Sequence, residues 1–218
     1  SMKKLEALVI GATGATGQQL VTCLLEDTAF SKVTVFVRRT PNLNHKKLIV
    51  NEIEFSRLEA YTDVIKGDVL FSCLGTTLKK AGSKDKQYLV DYTYQLEFAK
   101  VASKNKVSQY ALVSSIGANK NSFFFYPKIK GELEEAVKKL PFKTIHIFQP
   151  PTLIRQKELM RTGEKIAIKI FKVLNSIGIL KPQRPLPVST LAELMINKIK
   201  ENKKAEIKTF IPYRECVF

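Results

Sequence analysis

Three glycines, Gly11, Gly14 and Gly17, stand three residues apart in the stretch LVIGATGATGQQLVTCLL, from Leu8 to Leu25. An apolar, β-branched run precedes them and an amphipathic helical pattern follows. In a parallel sheet that arrangement has a specific use. Gly11 ends the strand and takes the tight turn. Gly14 leaves the backbone bare, so that a pyrophosphate can lie against it. Gly17 lets the helix pack close to the sheet, and Ala12, Thr13, Ala15 and Thr16 complete the turn. The helix N-terminus behind it offers free amides and a partial positive charge to the phosphates. The spacing is G-x-x-G-x-x-G rather than the commoner G-x-G-x-x-G, so its weight comes from the strand before it and the helix after it. Positions 11–17 are therefore expected to bind a dinucleotide.

The rest of the chain repeats the strand-then-helix alternation. LEALVI is strand one and Thr16 to Glu26 a helix. Lys32 to Val37 is strand two, broken afterwards by Pro41 and Asn42, and a short strand spans Val50 to Phe55. DVLFSCLG is strand four, Gln87 to Ser103 a helix, Tyr110 to Gly117 strand five, Tyr126 to Leu140 a helix stopped by Pro141, and KTIHIFQ strand six. Near-continuous apolar strands separated by amphipathic helices predict a parallel sheet covered on both faces. The expected fold class is α/β: a Rossmann-like doubly wound parallel sheet with a small C-terminal substrate-side extension. At 218 residues one domain is expected. Past Pro151 the alternation weakens, with helices expected at Glu158 to Leu174 and Thr190 to Ile199. Residues from about 151 to 218 read as a substrate-side cap.

Strand two ends VFVRR, with Arg38 and Arg39 where enzymes using NAD place an acid for the ribose 2′-hydroxyl. Guanidinium groups suit a 2′-phosphate instead. At roughly 1.5–3 kcal/mol for a charge-assisted hydrogen bond, one such arginine favours NADPH by about tenfold to a hundredfold. NADP(H) is the expected cofactor.

SSIGANKNSFFFYPKIK carries the candidate reacting centre. Tyr126 and Lys130 lie four apart at the start of a predicted helix and so share a face. An ammonium beside a phenol favours the phenolate, which can exchange a proton with a substrate carbonyl or alcohol. Ser114 and Ser115 end strand five at the same edge of the sheet, where a hydroxyl can bond the substrate oxygen.

GATGATG, the Tyr126-x-x-x-Lys130 pair and the two serines together resemble the short-chain dehydrogenase/reductase superfamily. FSCLGTTLKKAG, VSSIGANK and FFFYPKIKGELEE resemble more narrowly its atypical branch of Tat-interacting oxidoreductase-like proteins, over about residues 4 to 155. The resemblance implies an NADP-dependent oxidoreductase with a Ser–Tyr–Lys site. Tyr126 would be the acid/base, Lys130 its activator and ribose ligand, and Ser115, or failing it Ser114, the hydroxyl partner. Leu74 and Gly75 would lie along the cofactor, and Glu54-Phe55 would contact the adenine. Three departures stand out. Asp91 occupies the region where many relatives carry Asn, Gln149-Pro150-Pro151 replaces Arg-Pro-Gly, and Ser115 precedes Tyr126 by 11 residues rather than 13. The resemblance also allows a second reading, a non-catalytic NADP(H) sensor or scaffold that regulates partners.

Composition narrows the partners. The net charge is +16, but the lysines are spread along the whole chain without a tight basic block, which disfavours nucleic acid. No apolar run reaches the roughly 18 residues of a membrane span, so no membrane partner is expected. Cys23, Cys73 and Cys216 fit neither a disulfide framework nor a zinc site, which points to a reducing cytoplasm. His45 and His146 are isolated and make no metal site; His45 reads as a surface residue and His146 as a packed one. Glu132, Glu134 and Glu135 read as a solvated helix face. Phe123-Phe124-Phe125 suits an apolar substrate pocket, the core, or the contact of a homodimer equally. A small-molecule substrate is expected, of unspecified identity.

Overall fold

The computed structural model describes residues 3–151, 153–154, 169, 185–201 and 204–212. Seven strands form one sheet: β1 (Leu5–Ile10), β2 (Phe30–Val37), β3 (Leu48–Glu52), β4 (Val69–Ser72), β5 (Gln109–Val113), β6 (Thr144–Phe148) and β9 (Glu206–Phe210). Their order is β3-β2-β1-β4-β5-β6-β9, and every neighbouring pair is parallel. Two-residue strands β7 (Leu153–Ile154) and β8 (Leu186–Pro187) pair separately. The expected Rossmann-like α/β fold is therefore present. Strand order reverses between β1 and β4, which leaves a crevice beyond their carboxyl ends.

Apolar side chains bury both faces of the sheet. On one face α1 (Ala15–Glu26) places Leu20, Val21, Leu24 and Leu25 with Leu191, Met195 and Ile199 of the Val188–Glu201 helix. On the other face α4 (Gln95–Lys104) and α5 (Phe125–Val137) bring Phe98, Ala102, Leu133 and Val137 onto Ile10, Leu70, Leu112 and Ile147. Phe98 is fully buried beside Phe36. Truncating such a ring to alanine costs about 3–5 kcal/mol.

Several boundaries differ from the sequence reading. β3 starts at Leu48 and ends at Glu52, because Phe55 opens a 3₁₀ turn (Phe55–Ala60) instead of closing a strand. The helix expected from Gln87 to Ser103 is interrupted. Short helices α2 (Leu78–Ala81) and α3 (Lys84–Tyr88) precede a π-helical turn at Leu89–Tyr94, and only then does α4 begin. Strand five stops at Val113, ahead of both serines. The C-terminal helix begins at Val188, two residues before Thr190. β9 had no counterpart in the sequence reading, since EIKTF carries charges at alternate positions on an edge strand. The helix expected over Glu158 to Leu174 lies outside the described residues, apart from Lys169.

Candidate active site

The glycine turn sits at the reversal point, and its three glycines do different work. Gly11 has φ +80°, a conformation side chains rarely adopt, and a Cβ there would collide with the backbone of Cys73 and Leu74. A Cβ on Gly17 would collide with the Gly11 carbonyl. Both are fixed by close backbone approach within the protein. Gly14 is not: its Cβ would meet only the Gly11 oxygen, at an ordinary 3.7 Å. Nothing in the fold requires glycine there, yet Gly14 lines the main cavity and is the N-cap of α1 with no side-chain cap bond. No acidic residue occupies the first turn of α1. A bare N-cap over open space, facing uncapped amides, fits the pyrophosphate of a dinucleotide.

The cavity measures about 600 Å³, within the range of small-molecule sites. Gly14, Ala15 and Thr16 form one wall, and Leu74, Gly75 and Thr76 after β4 the next. Ser114, Tyr126 and Lys130, the residues expected from the sequence to surround a reacting group, line the cavity as well, together with Asp91. Leu153 and Val188, from beyond Pro151, reach the same cavity. Cys73 also lines it, but burial pushes its thiol up to about 12, which removes it as a nucleophile near neutral pH.

Tyr126 and Lys130 share a face of α5, with the Lys130 Nζ 5.4 Å from the Tyr126 ring centroid. Tyr126 is 42% exposed, whereas Lys130 is buried. Lys130 donates to Asp91 Oδ1 at 3.4 Å in an ion pair whose side chains are 5% and 1% exposed. Burial works against the ammonium, but Tyr126 and Asp91 outweigh it and hold Lys130 above the usual lysine value. Burial pushes the Asp91 carboxyl up, and Lys130 pulls it part of the way back. The π-helical turn brings Asp91 to this point, a deviation from α-helix that recurs at functional sites. Gln95 secures the turn by donating to the Asp91 carbonyl at 2.9 Å and accepting from Ser72 of β4 at 2.7 Å.

Ser114 and Ser115 diverge. Ser114 is buried against the cavity and donates to Glu134 Oε2 at 3.0 Å. Ser115 donates to the Ile116 carbonyl at 3.3 Å and is not part of the cavity wall. Glu134, read from sequence as solvated, is buried on the inner face of α5, one turn after Lys130. Gln149 donates to its Oε1 at 2.8 Å. Burial pushes the Glu134 carboxyl above its usual range, and the Gln149 and Ser114 bonds only partly offset that. Gly131 completes the arrangement, since a Cβ there would strike the backbone of Asn119 and Lys120, so the serine loop rides directly on α5.

The adenine-side residues lie apart from the cavity. Arg38 and Arg39 follow β2, exposed and without an ion pair among the described residues. Glu54 is exposed and 3.7 Å from Arg57. The Phe55 side chain is buried and stacked on Tyr94 with ring centroids 5.8 Å apart, so Tyr94 covers one face of its ring. His146 is packed as expected, with Nε2 2.9 Å from Glu206 Oε1. Sequence reasoning missed Ser72, Gln95, Glu134 and Gly131 as parts of this site. Only the lysine–glycine step of YPKIKGE carried a usable signal, a glycine inside a helical pattern.

The family model described as NAD(P)H-binding matches residues 11–141. Protein HTATIP2 of Rattus norvegicus is 35% identical over 202 residues, covering 91% of this chain and 82% of that protein. A protein named FMP52, mitochondrial, from Candida albicans is 31% identical over 210 residues, covering 94% and 92%. Among solved structures, the Bordetella bronchiseptica enzyme WbmH in complex with NAD+ superposes with a TM-score of 0.73 at 13% identity, covering 95% of this chain and 75% of that one. A UDP-glucose 4-epimerase of Thermotoga maritima gives 0.69 at 14% identity, covering 94% and 76%. At that identity the structural likeness speaks to the fold alone.

Proposed function

The chain belongs to the NAD(P)H-binding family of atypical short-chain dehydrogenases/reductases, and from that premise we propose that it is an NADP(H)-dependent oxidoreductase acting on a carbonyl or alcohol. The observation that carries this reading is the placing of Tyr126, Lys130 and Ser114 together on one cavity at the reversal point of the sheet. The cofactor, when bound, supplies or accepts the hydride. Tyr126 gives its phenolic proton to the substrate oxygen in reduction and takes it back in oxidation. Lys130, kept cationic by Tyr126 and Asp91, would steady the phenolate formed in between and hold the ribose hydroxyls. Ser114 orients the substrate oxygen. Arg38 and Arg39, with no acidic partner among the described residues, favour the 2′-phosphate. The substrate is a small molecule and the site of action a reducing compartment. The cytoplasm is our first expectation, and the relatives named mitochondrial supply the alternative for fractionation.

Parallel calorimetric titrations with NADPH and NADH test the cofactor half of the reading: tight NADPH and weak NADH binding is expected. A carbonyl and alcohol screen follows, in which Tyr126→Phe should lower any confirmed turnover by about a hundredfold or more. Unchanged turnover would remove the mechanism. A second reading, an NADP(H)-binding sensor or scaffold that regulates partners, is favoured by the Lys130–Asp91 ion pair, which gives the buried lysine a structural partner of its own. It expects cofactor-dependent partner binding that survives Tyr126→Phe.

A further inference from the structure

Ser114 lines the cavity, but its hydroxyl proton is committed behind the wall, to Glu134 Oε2 at 3.0 Å. Gln149 donates to the other Glu134 oxygen at 2.8 Å and, at a longer 3.3 Å, to Oε2 as well. Both donors are neutral, and Glu134 makes no ion pair among the described residues. Among the described residues, the charged groups that act on it are Lys130 one turn before it on α5, Glu135 beside it and Lys138 at the C-cap of the helix. From the residues that follow β5 and β6 it accepts hydrogen bonds from Ser114 and Gln149, both uncharged. A buried carboxyl held by neutral donors is one that a proton can reach at modest cost.

We infer that Glu134 is a positioning residue that sets the hydrogen-bond polarity of Ser114, and so selects between alcohol and carbonyl at the cavity. As a carboxylate, Glu134 takes the Ser114 proton, and Ser114 presents lone pairs to the cavity, suited to accept from an alcohol. As a neutral acid, Glu134 donates to Ser114 Oγ, and the Ser114 hydrogen turns toward the cavity, suited to a carbonyl oxygen. The proton on Glu134 comes from water and returns to it, while Tyr126 remains the group that exchanges a proton with the substrate. Burial pushes the Glu134 carboxyl upward, so the neutral acid extends to higher pH than for a surface glutamate. The alcohol–carbonyl consequence rests on the oxidoreductase reading; the coupling of Glu134 to Ser114 does not.

The test is a pH titration by NMR of the unliganded protein, carrying carbon-13 at glutamate carboxyls and serine Cβ. The Glu134 signal is identified by its loss in Glu134→Gln, and Ser114 by its loss in Ser114→Ala. One glutamate is expected to titrate above the others, with the Ser114 signal following the same midpoint. In Glu134→Gln, whose amide donates to Ser114 at every pH, the Ser114 signal should be flat. In Ser114→Ala, which also serves if Glu134→Gln fails to fold, losing a donor to the carboxylate should raise the Glu134 midpoint by about one unit or more. A Ser114 signal that stays flat while Glu134 titrates, or a Glu134 that titrates with the surface glutamates, overturns the inference. Failure of NADPH or NADP+ to bind would instead overturn the oxidoreductase reading and leave this coupling standing.

Discussion

The two ends of the cavity are built by opposite means. The end proposed to take the phosphates works by omission: within positions 11 to 17, side chains are missing so that backbone can meet backbone at Gly11 and Gly17, while at Gly14 the fold itself leaves room for one. The end proposed to react works by burial: Asp91, Lys130, Ser114, Glu134 and Gln149 bring two ionisable pairings under the sheet edge, at a desolvation cost that their mutual bonds help to offset. Adding an atom should break the first end, and removing a partner should break the second. The two ends therefore fail under different substitutions.

The largest effect expected is at Gly17. Gly17→Val places side-chain atoms in the Gly11 carbonyl and should cost at least about 4–5 kcal/mol in urea denaturation, enough to leave the chain unfolded. Lys130→Met comes next: stranding buried Asp91 should cost about 3–5 kcal/mol, with much of the loss recovered in the Lys130→Met, Asp91→Asn double variant. If the double variant is no better than the single, the reacting end is not held by that pair. Replacing Arg38 and Arg39 with serine should weaken NADPH binding by about tenfold to a hundredfold in calorimetry, leave NADH unchanged and leave the melting temperature in place. Gly14→Ala sharpens the contrast with Gly17: it should cost about 1 kcal/mol of stability or less, yet lower NADPH affinity clearly. Equal damage at Gly14 and Gly17 would mean that the turn is purely structural.

The smallest effect is a pH dependence far from either end. Burial lowers the His146 value below 6.5, with Glu206 only partly opposing. A histidine with a depressed folded value binds fewer protons than in the unfolded chain. Its contribution is therefore complete above about 6.5 and lost as pH falls through the folded value. His146→Phe should flatten that acid limb of a stability–pH curve. The buried Glu134 acts in the opposite sense, since its raised value makes stability fall as pH rises from the ordinary glutamate range through the folded one.

The glycine turn was legible because its requirement is local. Seven consecutive residues contain the whole turn, and a glycine between a strand and a helix has few other uses. The sheet was legible for a similar reason, its strands being buried on both faces and hence apolar throughout. At the other end the candidates Tyr126, Lys130 and Ser114 could be named from the sequence, but of the pairings between them only that of Tyr126 and Lys130, which share a helix turn, was legible. Asp91 and Lys130 are 39 residues apart, and Ser114 and Glu134 are 20 apart. Each alone resembles an ordinary surface residue until the fold joins them. Glu134 was misread on that account, since GELEE has the composition of a solvated face, and only the pitch of α5 turns the middle carboxylate inward. The π-helical turn left no trace, because nothing in LVDYTY distinguishes it from the helix on either side.

β9 enters the sheet last and from far away: it pairs with β6, whose residues end at Phe148, only once Glu206 to Phe210 are available. During synthesis the chain therefore passes through an interval in which six strands can already be assembled and TIHIF stands as an unpaired edge. That segment is buried throughout in the finished protein and is rich in β-branched and aromatic residues, the composition that recruits stray strands. Each newly made molecule carries a sticky seam for as long as it takes to extend and place some sixty more residues. Expression yield, more than equilibrium stability, is where shortening or weakening β9 would be felt.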